Sequence, residues 1–195
     1  MNRREFFGRL SGMNAGDLVQ VQDAYWLAKN AHREQMRDNG VRYFEHPRDV
    51  ALMLIDRGFR ERSVIIKALL HDVVEDTNTS PSTIVNMFGH DMWRSLFLLS
   101  KMIPVFDPIT GQICGRYRKP DAVYYAELSA APHEDRLVKC GDRLCNLRDM
   151  QKGWPKERQV KNAKETVEEV IPIAQMTDPW FHDAIKAEVD RILAG

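Results

Sequence analysis

The sequence predicts an all-α fold, on three observations. Apolar residues recur at three- and four-residue spacing along most of the chain, the period that lines one face of a helix. β-Branched residues nowhere alternate with polar ones over a strand length. Glycine, proline and asparagine punctuate the periodic segments, where turns are needed.

Taken in order, Leu18, Val21, Ala24, Tyr25, Ala28 and His32 mark a first long helix running to about Arg37. Asp38-Asn39-Gly40 stops it with residues that tolerate positive φ. Pro47 suits the first turn of a second helix, which continues through Val50, Ala51, Leu54 and Ile55 to Gly58. A third covers 64–76. It is apolar on nearly all sides, as expected of a central buried helix. Ser80-Pro81-Ser82 has the form of a helix start and Phe88-Gly89 of its stop; a short helix follows from Asp91 to Lys101. Residues 103–120, rich in proline and glycine and carrying Arg116, Arg118 and Lys119, predict one long irregular loop of the kind that forms lids or binding loops. Helices resume near Asp121, run from about Glu134 to Met150, follow Pro155 to about Ala174, and end with one near 179–193. Neither an internal repeat nor a linker interrupts this order.

The 195 residues suit one domain with a single sizeable core. Lys+Arg and Asp+Glu tie at 28 each, which argues against a general nucleic-acid binder, since neutralising many phosphates needs a basic excess. Cys114, Cys140 and Cys145 form no CxxC pair and read as reduced thiols of a cytoplasmic protein. No apolar run approaches the ~20 residues of a membrane helix, so no membrane partner is expected. Arg3-Arg4 has the form of a twin-arginine export signal, but residues 11–17 are polar where such a signal needs an apolar stretch. An amphipathic first helix is the plainer reading.

His71-Asp72 is the sharpest chemical feature. An ionisable pair within an apolar helix is costly unless something compensates the charge, and a divalent metal does so. Glu75 and Asp76 lie four residues on, so on a continuous helix His71 stacks with Glu75 and Asp72 with Asp76. His46, before Pro47, and Asp142, in a mostly apolar helix, are ordinary on their own evidence: a capping residue, and a partner for Lys139 or Arg143.

Several motifs occur together and in order: Ala31-His32, Gln35, Arg37, Gly40, Tyr43 and His46-Pro47; then Leu69 to Thr77; then Phe88-Gly89 and Leu99-Ser100-Lys101; then Val138-Lys139, Asp142-Arg143 and Asn146-Leu147-Arg148. This set, spanning about residues 18 to 174, resembles the hydrolase domain of the RelA/SpoT family. With Gly153-Trp154 and the short length, it is most similar to the stand-alone small alarmone hydrolases of the Mesh type.

The resemblance implies a single HD-type helical bundle around a buried metal site. His46, His71, Asp72 and Asp142 match the family's metal ligands, usually for Mn²⁺, and Glu75 and Asp76 match its catalytic acidic pair. Arg37 matches a residue that packs on guanine, and Asn146 one near the nucleotide's sugar. Arg148 and the cluster Arg116, Arg118 and Lys119 are candidates to offset phosphate charge. Tyr43 is read as packing, His32 as core or a support behind the site, and His90, His133 and His182 as surface. Trp93, Phe97, Trp180 and Phe181 are read as core. The implied partner is a guanine nucleotide, and the implied reaction removes the 3′-pyrophosphate of guanosine tetra- or pentaphosphate to give GDP or GTP. Asp38-Asn39 stands where the family commonly has a basic-polar pair. That departure keeps two alternatives open: a related hydrolase acting on a ribose 2′- or 3′-phosphate, and a catalytically silent nucleotide sensor.

Overall fold

A computed structural model describes residues 3–151 and 153–194. Its elements are α1 (Arg3–Gly8), α2 (Ala15–Ala31), α3 (Glu45–Asp56), α4 (Arg62–Leu70), the single turn α5 (Val73–Asp76), α6 (Pro81–Phe88), α7 (His90–Leu99), strands β1 (Met102–Phe106) and β2 (Ile113–Arg118), α8 (Asp121–Ser129), α9 (His133–Met150), α10 (Lys156–Glu165), α11 (Ile171–Gln175) and α12 (Pro179–Ala194). A π-helical turn, Thr166–Val170, joins α10 to α11. The all-α expectation holds apart from the hairpin. Met1 and Asn2 lie outside the described residues; just after them, α1 buries Phe6, consistent with an amphipathic start. Among the described residues no helix is long and apolar enough to cross a membrane.

Helix starts follow local side-chain chemistry. Asn14 accepts from the Asp17 amide at 2.9 Å, and Ser80 Oγ from the Thr83 amide at 3.1 Å. Gly89, at φ 89°, separates α6 from α7 in a conformation that a side chain resists. At the centre lies α4, buried from Val64 to Leu70 and packed against α2, α3 and α9. Even Lys67 is buried there, its ammonium held by Asp135 at 2.6 Å and Glu134 at 2.9 Å.

The crossing of α3 and α9 positions the site. Gly141 allows it: a Cβ there stands 3.2 Å from Val50 Cγ1. Gly141→Leu is therefore expected to lower stability by ~1–3 kcal/mol through overpacking. A thermal melt matching the parent's would show that the two helices have room to spare.

Three segments depart from the sequence expectation. The first long helix ends at Ala31, not near Arg37. Beyond it the chain folds into a tight turn around Gly40, closed by Arg37 N to Val41 O at 2.8 Å and Tyr43 N to Gln35 O at 3.0 Å. The third helix is not continuous over 64–76, because it breaks at His71-Asp72. There the His71 Nδ1 group lies 2.8 Å from the Ala68 carbonyl, the acceptor that the Asp72 amide uses in an unbroken helix. Glu75 and Asp76 thus reach the site from a separate turn rather than stacking along one helix.

The third departure is the loop at 103–120, which is mostly an antiparallel hairpin. Ile103 faces Tyr117, with an irregularity at Val105/Phe106. Asp107 Oδ1 accepts from the amides of Ile109 and Thr110, and Gly111 closes the turn at φ 68°. Its basic residues disperse. Lys119 is buried and donates to the Phe97 carbonyl and Glu127, and Arg118 pairs with Asp121. Both are withdrawn as phosphate contacts. Arg116 alone of the three turns toward the site's edge, donating to the Thr77 carbonyl at 2.5 Å.

Candidate metal centre and catalytic cleft

The broken helix and the α3/α9 crossing bring His46, His71, Asp72 and Asp142 together from two helices and the turn between α4 and α5. His46 Nε2 lies 3.1 Å from Asp142 Oδ1 and 3.8 Å from Asp72 Oδ2. His71 Nε2 lies 3.2 Å from Asp72 Oδ1 and 3.6 Å from Asp142 Oδ1. One ligand atom each from His46, His71 and Asp142 falls within 4.8 Å of the others, close enough to share one ion.

The donor chemistry fits a divalent cation. With its Nδ1 proton given to Ala68, His71 presents a bare Nε2 to the carboxylates, and that buried atom has no hydrogen bond of its own among the described residues. Without a cation the carboxylates claim a proton instead. Burial alone would lower the His71 pKa, but Asp72 and Asp142 outweigh it and push it up to about 9. Burial works the other way on Asp142, yet Lys139 and the two histidines hold its carboxyl well below the usual range. The Lys139 ammonium sits 2.8 Å from Asp142 Oδ2.

His71, Asp72, Asp142 and Lys139 open into a cleft of about 370 Å³, the size of a small-ligand site. Glu75 and Asp76 line it beside Asp72. Glu75 Oε2 accepts from the Lys101 amide at 2.7 Å. Burial and the charge of Asp72 nonetheless push the Glu75 carboxyl up to about 7, and the same two causes raise Asp76. Asp76 shares the Tyr43 hydroxyl with Asp72, at 2.5 and 3.0 Å.

Arg37 and Asn146 meet at one edge, with Arg37 Nη2 donating to Asn146 Oδ1 at 2.8 Å. Asn146 in turn donates to Asp142 Oδ1 at 2.5 Å. Arg148 does not join them. It lies on the other face of α9, paired with Glu188 of α12 at 3.1 Å, because a step of two residues on a helix turns a side chain through slightly more than a half-circle.

Sequence reasoning missed three groups here and named a fourth, Lys139, only as a partner for Asp142. Tyr43, read as packing, supports both carboxylates while its ring stacks on His32 at 4.7 Å. Lys139 and Lys101 line the cleft, as does Arg158, which lies 3.6 Å over the Trp154 ring and 2.9 Å from Asp38. The three-residue spacing of Lys139 and Asp142 was the one available signal. The others depend on contacts between distant segments.

Residues 24–102 match the HD domain family. The chain is 30% identical over 187 residues to the mouse guanosine-3′,5′-bis(diphosphate) 3′-pyrophosphohydrolase MESH1, covering 90% of this chain and 94% of the relative. The chain belongs to the MESH1 family of HD-domain proteins. Human MESH1 matches with the same identity and coverage. A 3′-pyrophosphohydrolase of the same substrate name from Aquifex aeolicus is 35% identical over 176 residues, of which the chain spans 23% of the length. Other long relatives are spanned to a similar extent, among them a probable GTP pyrophosphokinase of Mycobacterium leprae at 19%. The MESH1-type bundle also superposes on a solved metazoan ortholog of SpoT, with a TM-score of 0.70 at 23% identity, covering 90% of this chain and 94% of that one.

Proposed function

We propose that this protein removes the 3′-pyrophosphate from guanosine tetra- or pentaphosphate, leaving GDP or GTP, with a divalent metal ion, Mn²⁺ in the first instance, as its cofactor. The observation that carries the reading is the acidic pair Glu75-Asp76 in one cleft with His71, Asp72 and Asp142, the last two paired with His46 behind them, in a chain that matches MESH1 almost end to end. His46, His71, Asp72 and Asp142 would hold the ion. When bound, it acidifies water and polarises a phosphoryl oxygen.

The chain's own residues supply the rest. Glu75, beside Asp72 in the cleft, takes a proton from the attacking water. Asp76 is oriented by the Tyr43 hydroxyl and handles the proton of the leaving group. Lys139, Lys101 and Arg158 face phosphate oxygens across the cleft. Arg37 offers a flat guanidinium to the purine. All three cysteines are free, consistent with the cytoplasm as the proposed location.

The deciding experiment is product analysis by ion-exchange chromatography after incubation of guanosine tetraphosphate with the Mn²⁺-loaded protein. Pyrophosphate and GDP are the expected products. Orthophosphate would instead indicate attack on a phosphate monoester, and no turnover with metal bound would indicate a sensor. A second expectation concerns Arg37→Ala, which should raise KM more than it lowers kcat, the pattern of lost uniform binding. An unchanged KM would remove Arg37 from the binding edge.

A further inference from the structure

A second cleft, of about 350 Å³, is lined by His32 and shares no lining residue with the catalytic cleft. Cations dominate its wall: Arg3, Lys29, Arg33, Arg42 and Arg48, against the single carboxylate of Glu45. Arg33 is satisfied by Glu34, and Arg48 by Glu45 and Asp49. Arg42 and Lys29 have no carboxylate partner among the described residues; Lys29 only lies 5.1 Å from the Trp26 ring centre. In a chain whose formal charges sum to zero, such a concentration marks a place built for negative charge.

His32, in the lining of this cleft, adds a chemical constraint. The Gln35 amide nitrogen donates to the Asp76 carbonyl at 2.7 Å, which turns its oxygen toward His32 Nδ1, also at 2.7 Å. That oxygen can only accept, so Nδ1 carries the ring proton and Nε2 keeps a lone pair. His32 is 1% exposed, and Nε2 has no hydrogen-bond partner among the described residues. A buried acceptor left this way is costly, and a donor supplied by a ligand satisfies it.

We propose that this cleft is a second ligand site, for a small anion of the phosphate class that still carries a proton. Its charged oxygens meet Lys29 and Arg42, and its P–O–H donates to His32 Nε2. Hydrogen phosphate and the monoprotonated form of a phosphate monoester meet both demands at neutral pH. Sulfate meets only the first, since it has no proton to give. The His32 ring stacks on Tyr43 at an interplanar angle of 15°, so these two rings form the wall between the second cleft and the catalytic one.

The test compares inorganic phosphate with sulfate by calorimetric titration of the protein loaded with diamagnetic Zn²⁺ at equal ionic strength, with the His32 ring nitrogens followed by ¹⁵N NMR. Phosphate is expected to bind at least about tenfold more tightly than sulfate and to shift the Nε2 resonance. The double variant Lys29→Glu/Arg42→Glu is expected to lose that shift and weaken phosphate binding about tenfold or more, with hydrolysis in the absence of phosphate unchanged. Sulfate binding as tightly as phosphate would overturn the proposal, because charge alone would then explain the site. Phosphate binding that survives in the double variant, or leaves Nε2 unmoved, would overturn it too, by placing the ion in the catalytic cleft. These readouts do not depend on which nucleotide the catalytic cleft hydrolyses.

Discussion

Replacing Glu75 with Gln is expected to slow hydrolysis by ~10²–10⁴-fold while leaving the metal content at the parent level. The amide keeps the shape of the side chain and its contact with the Lys101 amide, but it cannot take a proton. Asp76→Asn should act in the same direction, because the amide loses the charge that faces the Tyr43 hydroxyl. The pH profile gives the expectation a second readout. A base must be ionised to act, so the parent rate rises with pH through the Glu75 titration, near 7 in the metal-free protein and lower once a cation offsets the charge of Asp72. Glu75→Gln should lack that limb. A variant that retains both the parent rate and the limb would take Glu75 out of the mechanism.

Asp142→Ala should have an effect at least as large, by a different route. The same Asp142 oxygen lies 3.1 Å from His46 Nε2 and 3.6 Å from His71 Nε2, and Lys139 holds the carboxyl in its ionised form. Removing Asp142 takes away a charged ligand and leaves the buried Lys139 ammonium without its direct ion-pair partner. Metal content measured by elemental analysis should fall together with activity, and added Mn²⁺ should restore little of either. Full occupancy in this variant would mean that the ion is held without Asp142. Glu75→Gln and Asp142→Ala thus separate proton transfer from metal retention in the same cleft.

The helices were legible because each buries one face, and burial imposes its period on the sequence. Ser80-Pro81 and Gly89 were legible for a more local reason, since capping and positive φ are satisfied within a few residues. The hairpin was not. Its strands are five and six residues long and carry Pro104 and Gly115, so neither shows the alternation that reveals longer strands. The break at His71-Asp72 escaped for a related reason. It turns on a side chain competing for one backbone carbonyl, and hydrophobic periodicity is blind to that.

The candidate site divides along the same line. His71, Asp72, Glu75 and Asp76 stood out from sequence alone, because charged groups inside an apolar segment are costly and so conspicuous. His46 and Asp142 had no such contrast and became candidates only through the resemblance. The sequence by itself determined the helical class, the caps and the acidic cluster, all of which depend on residues close together in the chain. Only the tertiary structure decided that Tyr43 bridges two carboxylates, that Arg148 turns away to Glu188, that Lys119 is buried, and that Asp38 holds Arg158 at the cleft mouth. Each of those contacts joins segments that meet only when helices pack, and long-range packing leaves no periodic trace in the sequence.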